Sequence, residues 1–283
     1  MLYALEIAAT WGPALFYSAG AMVNCLSSDK KEKPQTFENK RFSNVINQVD
    51  EIKTNISFSR PPKECNGPIA TNGKNFSAES LIFIDKKFEQ IIEDTDFEFS
   101  LLHELAHIKN NDLLVNPLSA VVGTVVSTLA LPLIKSMLPS WLQPVVYTIP
   151  LLVGTKIYWI SARNCESRAD NYACEKSTDK QLLAAERFFQ VEVDLNKDIN
   201  THEYNSPFTK EGDAPSDKIH PSSSKRLNAI RKEMKKRGLK SPERNTKDEK
   251  HKMQQIRNYF ISTYENSYNP KVVGTIKNIK KYK

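Results

Sequence analysis

The chain has 283 residues, 40% of them apolar and 26% charged, with a formal net charge of +7 and a mean hydropathy of −0.49. That length and apolar content allow one large domain with appendages or two small ones, and the hydropathy excludes a chain made mostly of membrane spans, though not one or two of them. From Lys225 onward 18 Lys and Arg face 5 Asp and Glu, so the body is mildly acidic and the end is basic. A basic end can meet anionic lipid, nucleic acid or an acidic partner. The plainer reading, preferred here, is a solvated helical face with a loose end, and no nucleic-acid partner is expected. Cys25, Cys65, Cys165 and Cys174 include no Cys-x-x-Cys pair, and a chain of this size needs no disulfide scaffold. They read as reduced thiols.

Residues 1–26 are apolar apart from Glu6 and are interrupted by Trp11, Gly12 and Pro13. With no basic stretch ahead of them they do not read as a secretory signal, and they suit a membrane anchor, an interfacial segment or a packed helix. Residues 27–40 are polar and charged, a linker. Val45 to Ile52 has helical spacing, and Ile56-Ser57-Phe58-Ser59 alternates ahead of Pro61-Pro62. Leu81-Ile82-Phe83-Ile84 is a short apolar run ended by Asp85, which reads as a strand. Thr95 and Glu98 have capping-box spacing, and Phe97, Leu101, Leu102, Leu105 and Ile108 supply an apolar face. A helix is therefore expected from about Asp96 to Asn110.

Residues 113–134 and 137–155 contain no charged side chain, with Lys135 between the two runs. Their lengths suit an apolar helical hairpin over 113–160, whose two ends return to one side. Pro117, Pro132, Pro139, Pro144 and Pro150 are tolerated better in membrane helices than in soluble ones. The competing reading is a hairpin buried over the domain or lying in the interface. Residues 160–195 return to helical spacing, in two helices broken near Ser177. Residues 196–224 read as loop, and a basic helix follows from Lys225 to about Arg237. Beyond about 240 the chain is weakly patterned, although Ile256, Tyr259, Phe260 and Tyr264 can form one amphipathic set.

The expected helix carries His103-Glu104-Leu105-Ala106-His107, an H-E-x-x-H pentad. Positions four apart share one helix face, so both imidazoles can point at one ion, and the Glu between them can take a proton from water there. That is the zinc-hydrolase signature, with Glu104 as general base. Chance yields the pattern in about one chain in a hundred of this length, so the rest of the chain has to carry the argument. Catalytic zinc takes three protein ligands and keeps one position open. Downstream, Glu166-Ser167-Arg168-Ala169-Asp170 places two acids four apart. Glu166 is the natural third ligand. Asp170 would accept a hydrogen bond from the outer nitrogen of a ligand His, His103 by preference. Of the remaining histidines, His202 and His251 read as incidental. His220 opens the segment His220-Pro221-Ser222-Ser223-Ser224-Lys225-Arg226-Leu227, which on its residues alone is a loop with a serine cap leading into a helix.

The order H-E-x-x-H, apolar hairpin, E-x-x-x-D, then H-P-x-x-x-x-R-L is similar to the HtpX-like and CAAX prenyl endoprotease-like membrane zinc metallopeptidases, gluzincins of peptidase family M48. The match covers roughly residues 65 to 235. The resemblance implies an α+β, mainly helical fold: a zincin catalytic domain over 41–235 with a small sheet and an inserted apolar hairpin, followed by a basic tail over 236–283. It implies one zinc ion per chain, His220 stabilising the tetrahedral oxyanion, and Arg226 supporting the same region. It also implies that the strand Leu81, Ile82, Phe83 and Ile84 offers an edge to an extended protein or peptide substrate by β-augmentation. Membrane lipid is the second expected partner. Lys109, Lys156, Arg163 and the tail flank the catalytic side against Lys135 alone in the connector, so the site is expected at an inner or plasma membrane, facing the cytosol. Two other functions compete: a non-catalytic zinc-stabilised membrane scaffold, which has no need of Glu104, and a signalling receptor with a protease domain, for which no long sensor segment remains.

Overall fold

A computed structural model describes residues 36–37, 40–49, 55–59, 69–73, 79–84, 88, 94–202, 206–217, 219–244 and 246–267. The apolar segment 1–26, most of the linker, Cys25, Cys65, Asp85 and the last residues of the tail lie outside them. In chain order the elements are β1 (Thr36–Phe37), α1 (Lys40–Asn47), β2 (Asn55–Ser59), β3 (Ile69–Gly73), β4 (Glu79–Ile84), α2 (Asp94–Asn110), α3 (Asp112–Ser136), a 3-10 turn (Ser140–Leu142), α4 (Gln143–Val146), α5 (Ile149–Lys176), α6 (Asp179–His202), α7 (Ser223–Lys236) and α8 (Lys247–Ser267). The fold is mainly helical with one small sheet.

The four strands are ordered β1-β2-β4-β3. β4 pairs in parallel with β2, Asn55 opposite Glu79 and Ser59 opposite Phe83, and antiparallel with β3, Ile69 opposite Ile84 and Gly73 opposite Ser80. Ser80, Ile82 and Ile84 are buried and Phe83 less so, the period of two that a strand imposes. This corrects one expectation. The strand Leu81 to Ile84 exists, but both its sides are hydrogen-bonded to neighbours, so it offers no edge to a substrate. Its uncharged, two-sided run fits an interior strand better than a rim. The outer strand that contacts α2 is β3.

α2 starts at Asp94, two residues before the expected position, so Thr95 lies in the first turn rather than ahead of it. Glu98 accepts a hydrogen bond from Gln181 Nε2 of α6 at 2.9 Å. Phe97, Phe99, Leu101, Leu102 and Leu105 are almost wholly buried, in one core with Phe42 and Val45 of α1, Ile82 and Ile84 of β4, and side chains of α6, α7 and α8. Phe42 stacks on Phe97 at 4.6 Å, and Phe88 meets Phe97 at 5.5 Å and Tyr259 at 5.0 Å. Ile256, Tyr259, Phe260 and Tyr264 form the amphipathic set foreseen for them, on a 21-residue helix that closes the core. α6 runs seven residues into the stretch expected to be loop, because Ile199 repeats the buried position of Leu195 one turn on and Asn196 binds the Gly212 carbonyl at 2.9 Å.

The two uncharged runs fold differently. The first is α3, and among the described residues it is the helix long and apolar enough to cross a membrane, with mean hydropathy 1.9. Its 25 residues extend about 38 Å, against a hydrocarbon core of about 30 Å. The second run is cut by prolines: Pro139 precedes the 3-10 turn, Pro144 opens α4 and Pro150 opens α5. Each sits where a missing N–H costs nothing, and so restarts the chain. α5 then packs back along α3. Their seam is tight at Gly154, where a Cβ would stand 2.0 Å from Thr124 Oγ1. Farther down, Ser161 donates to Asn116 Oδ1 at 2.9 Å and Cys165 lies 3.3 Å from the same oxygen. Away from the seam, Leu118, Val122, Val126, Leu129 and Leu133 stand exposed in a stripe along α3, with Trp141 at the hairpin tip.

Candidate active site

α2 and α5 cross so that His103, His107 and Glu166 meet. His103 Nε2 lies 3.0 Å from His107 Nε2 and 3.1 Å from Glu166 Oε2, and His107 Nε2 lies 3.4 Å from Glu166 Oε1. Donors 2.0 to 2.1 Å from a tetrahedral zinc stand about 3.3 Å apart, so this spacing fits one such ion. The outer nitrogens face carboxylates. His103 Nδ1 is 2.9 Å from Asp170 Oδ1, and His107 Nδ1 is 2.8 Å from Asp112 Oδ2. Asp170 is itself gripped by Arg226, whose Nε lies 2.9 Å from Oδ2 and whose Nη2 lies 2.7 Å from Oδ1. The Arg226 guanidinium rests 4.5 Å above the Phe189 ring. The pairing of Asp170 with His103 is the one the sequence favoured.

His220 arrives from the loop before α7. Its Nε2 is 3.7 Å from Glu166 Oε2, and its Nδ1 is held by Asp217 Oδ2 at 2.8 Å. Glu104 lies between the two histidines on α2, partly buried. A family model, peptidase family M48, matches residues 43–234. The chain belongs to peptidase family M48. No curated protein and no solved structure matches it. Membership makes the chain a metallopeptidase, with proteins or peptides as its class of substrate.

The electrostatics of this M48 site are those of a cluster built to hold a cation. Burial alone would lower the basicity of His107. The hydrogen bonds to Asp112 and Glu166 and the charges of Glu166 and Glu104 outweigh it and raise the pKa to about 10. His103 is raised in the same way, burial being overcome by Asp170 and Glu166. Burial would raise the Glu166 carboxyl, but the two imidazoles hold it well below the usual carboxylate range. His220 is raised first by its bond to Asp217, against a smaller effect of burial.

Three further acids belong to this neighbourhood and were not singled out in the sequence. Asp112 lies just ahead of an apolar run, and its place five residues after His107 is a usable signal. Asp217 stands three residues before His220, in a loop that gave no periodic cue. Glu192 of α6 is half-buried beside Arg226, Ser223 and His220, and desolvation pushes its carboxyl up. No sequence pattern ties Glu192 to the pentad.

Proposed function

We propose that this M48 chain is a membrane-associated zinc endopeptidase of gluzincin type, working in protein quality control or processing. The observation that carries the reading is the convergence of His103, His107 and Glu166, each imidazole backed by a carboxylate. In this reading those three residues hold one zinc ion. Zinc, when bound, supplies Lewis acidity that polarises a carbonyl and acidifies water. Glu104 takes the proton of the attacking water and returns it to the leaving amine. His220, turned by Asp217 so that Nε2 faces the metal side, donates to the carbonyl oxygen as it gains charge; one such donor contributes about 3 kcal/mol to the transition state. Arg226 keeps Asp170 ionised and in place, and Asp170 keeps the His103 ring oriented. An extended substrate has β3 as the sheet edge on the α2 side.

The setting is the bilayer. The exposed stripe of α3 and the exposed Leu151, Leu152, Trp159 and Ile160 of α5 form an apolar band that suits lipid acyl chains. Lys109 and Arg163 stand toward the catalytic end, Lys156 midway along the hairpin beside the Gly154–Thr124 seam, and Lys135 near the tip, a balance that favours a site on the cytosolic side.

The test compares Glu104→Gln with the wild-type full chain in detergent. The variant is expected to keep its zinc by metal analysis and to lose peptidase activity by about 10²- to 10⁴-fold. Full turnover by Glu104→Gln would falsify the assignment of the base.

A further inference from the structure

We propose that Asp112 is a positioning residue for the metal centre, holding His107 from the first residue of the apolar hairpin jointly with Arg168 on the hairpin's other arm. The inference rests on the reading of His103, His107 and Glu166 as zinc ligands and adds to it how the second histidine is set. α2 and α3 are separated by one residue, Asn111, the only non-glycine residue with positive φ among those described (φ 53°, ψ 41°). Asn tolerates this left-handed conformation better than most residues, and the chain turns here with no intervening loop. The turn brings the first residue of α3 beneath the last turn of α2. Asp112 is 3% exposed, and its two oxygens are divided between two partners: Oδ2 takes His107 Nδ1 at 2.8 Å, and Oδ1 takes Arg168 Nη2. Arg168 lies two residues beyond Glu166 on α5. One buried carboxylate thus joins the helix of the pentad, the helix of the third ligand and the start of the apolar helix.

Each feature has a physical consequence. A carboxylate at the first turn of α3 is favoured by the helix dipole, so the negative charge is held where it is needed. A carboxylate facing Nδ1 fixes the tautomer that leaves Nε2 free and raises the donor strength of that nitrogen. Arg168 restrains the carboxylate from the far side, so Asp112 does not turn away from His107. His103 has the same arrangement through Asp170 and Arg226. The two ligand histidines are therefore backed by two carboxylate–guanidinium pairs, one inside the domain and one at the base of the hairpin.

The experiment is a cobalt(II) titration of the metal-free full chain in detergent, followed by visible absorption, with zinc affinity then obtained by competition. Wild type is compared with Asp112→Asn, Asp112→Ala, Arg168→Gln and Glu166→Ala. Thermal unfolding of each metal-free protein identifies a variant that merely fails to fold. Removing an outer partner of a metal-bound histidine weakens metal binding by about 10- to 100-fold. Asp112→Ala is expected at the upper end of that range. Asp112→Asn keeps the shape but not the charge and is expected nearer tenfold, with a shifted cobalt absorption band at saturation. Arg168→Gln is expected to lose less than either. Zinc affinity and cobalt spectrum unchanged in folded Asp112→Asn and Asp112→Ala, while Glu166→Ala loses the metal, would overturn the inference and leave the ligand assignment standing. Wild-type zinc binding by Glu166→Ala would overturn that assignment and the inference with it.

Discussion

α5 is one continuous helix in two environments. Near its start it turns Leu151, Leu152, Trp159 and Ile160 outward, all exposed; from Ala162 to Cys174 it buries Cys165, Ala169, Asp170, Ala173 and Cys174 and carries Glu166 toward the pentad. The halves find their partners in opposite directions. The charged half is closed on itself: Asp170 meets Arg226 and His103, and Glu166 meets both imidazoles. The apolar half, with α3, is closed only along the seam, and its outer face needs a covering that the proposed bilayer supplies. Geometry at the site therefore depends on pairing inside the chain, while the position of the hairpin depends on its solvent.

Breaking the charged half should have the larger effect. Arg226→Ala leaves Asp170 buried without its guanidinium, and removing one partner of a buried pair costs about 3–5 kcal/mol. Chemical unfolding of the metal-free chain should show that loss equally in micelles and in vesicles. A loss below about 1 kcal/mol would mean that His103 alone satisfies Asp170 and that this half is not closed as described. Breaking the apolar half should act elsewhere. Val126 is 61% exposed near the middle of α3, and lysine there costs roughly 3 kcal/mol in a spanning helix. Val126→Lys should therefore lower the fraction of full chain that floats with vesicles and leave the zinc content of the detergent-purified protein at the wild-type level. Undiminished flotation would remove lipid as the partner of this face.

The same division governs what could be read from the sequence. Regular spacing was legible. The pentad, the E-x-x-x-D pair and the α8 set of Ile256, Tyr259, Phe260 and Tyr264 all depend on side chains recurring on one helix face, and helix geometry alone brings them together. The strand Leu81 to Ile84 was legible as a strand, but its place in the sheet was not, because strand order depends on β3, whose Ile69-Ala70-Thr71-Asn72-Gly73 has no apolar alternation to announce it. The long apolar run 137–155 suggested a second arm. That arm exists as α5, but Pro139, Pro144 and Pro150 delay its start to Ile149 by way of a 3-10 turn and the short α4, a local effect that a count of uncharged residues does not register. Asp112 was missed for a related reason: a charge at the edge of an apolar run looks like a boundary until the single-residue turn at Asn111 folds it under His107. His220 illustrates the opposite case. Its own residues favoured a plain loop, and only the resemblance pointed to the position beside Glu166 that it occupies.

Acid gives the smallest and most selective test of the two halves. Burial alone would raise the Asp170 carboxyl, but the charge of Arg226 and the bond from His103 prevail and bring it down to about 2, against an ordinary 3.8. A carboxyl depressed in the folded state stabilises the fold above pH 3.8, and that contribution is lost as the pH falls through 2. The shift corresponds to about 2 kcal/mol. The unfolding free energy of the metal-free chain should therefore fall along an acid limb between about pH 4 and pH 2. Asp170→Asn has no carboxyl to protonate at that position, so its limb should be shallower by that amount. Val126→Lys, whose new charge does not titrate in acid, should keep the wild-type slope even where its flotation is lost. Equal slopes for Asp170→Asn and wild type would mean that the Arg226–Asp170 pair does not set the acid stability of the charged half, and the contrast between the two ends of α5 would then rest on the hairpin alone.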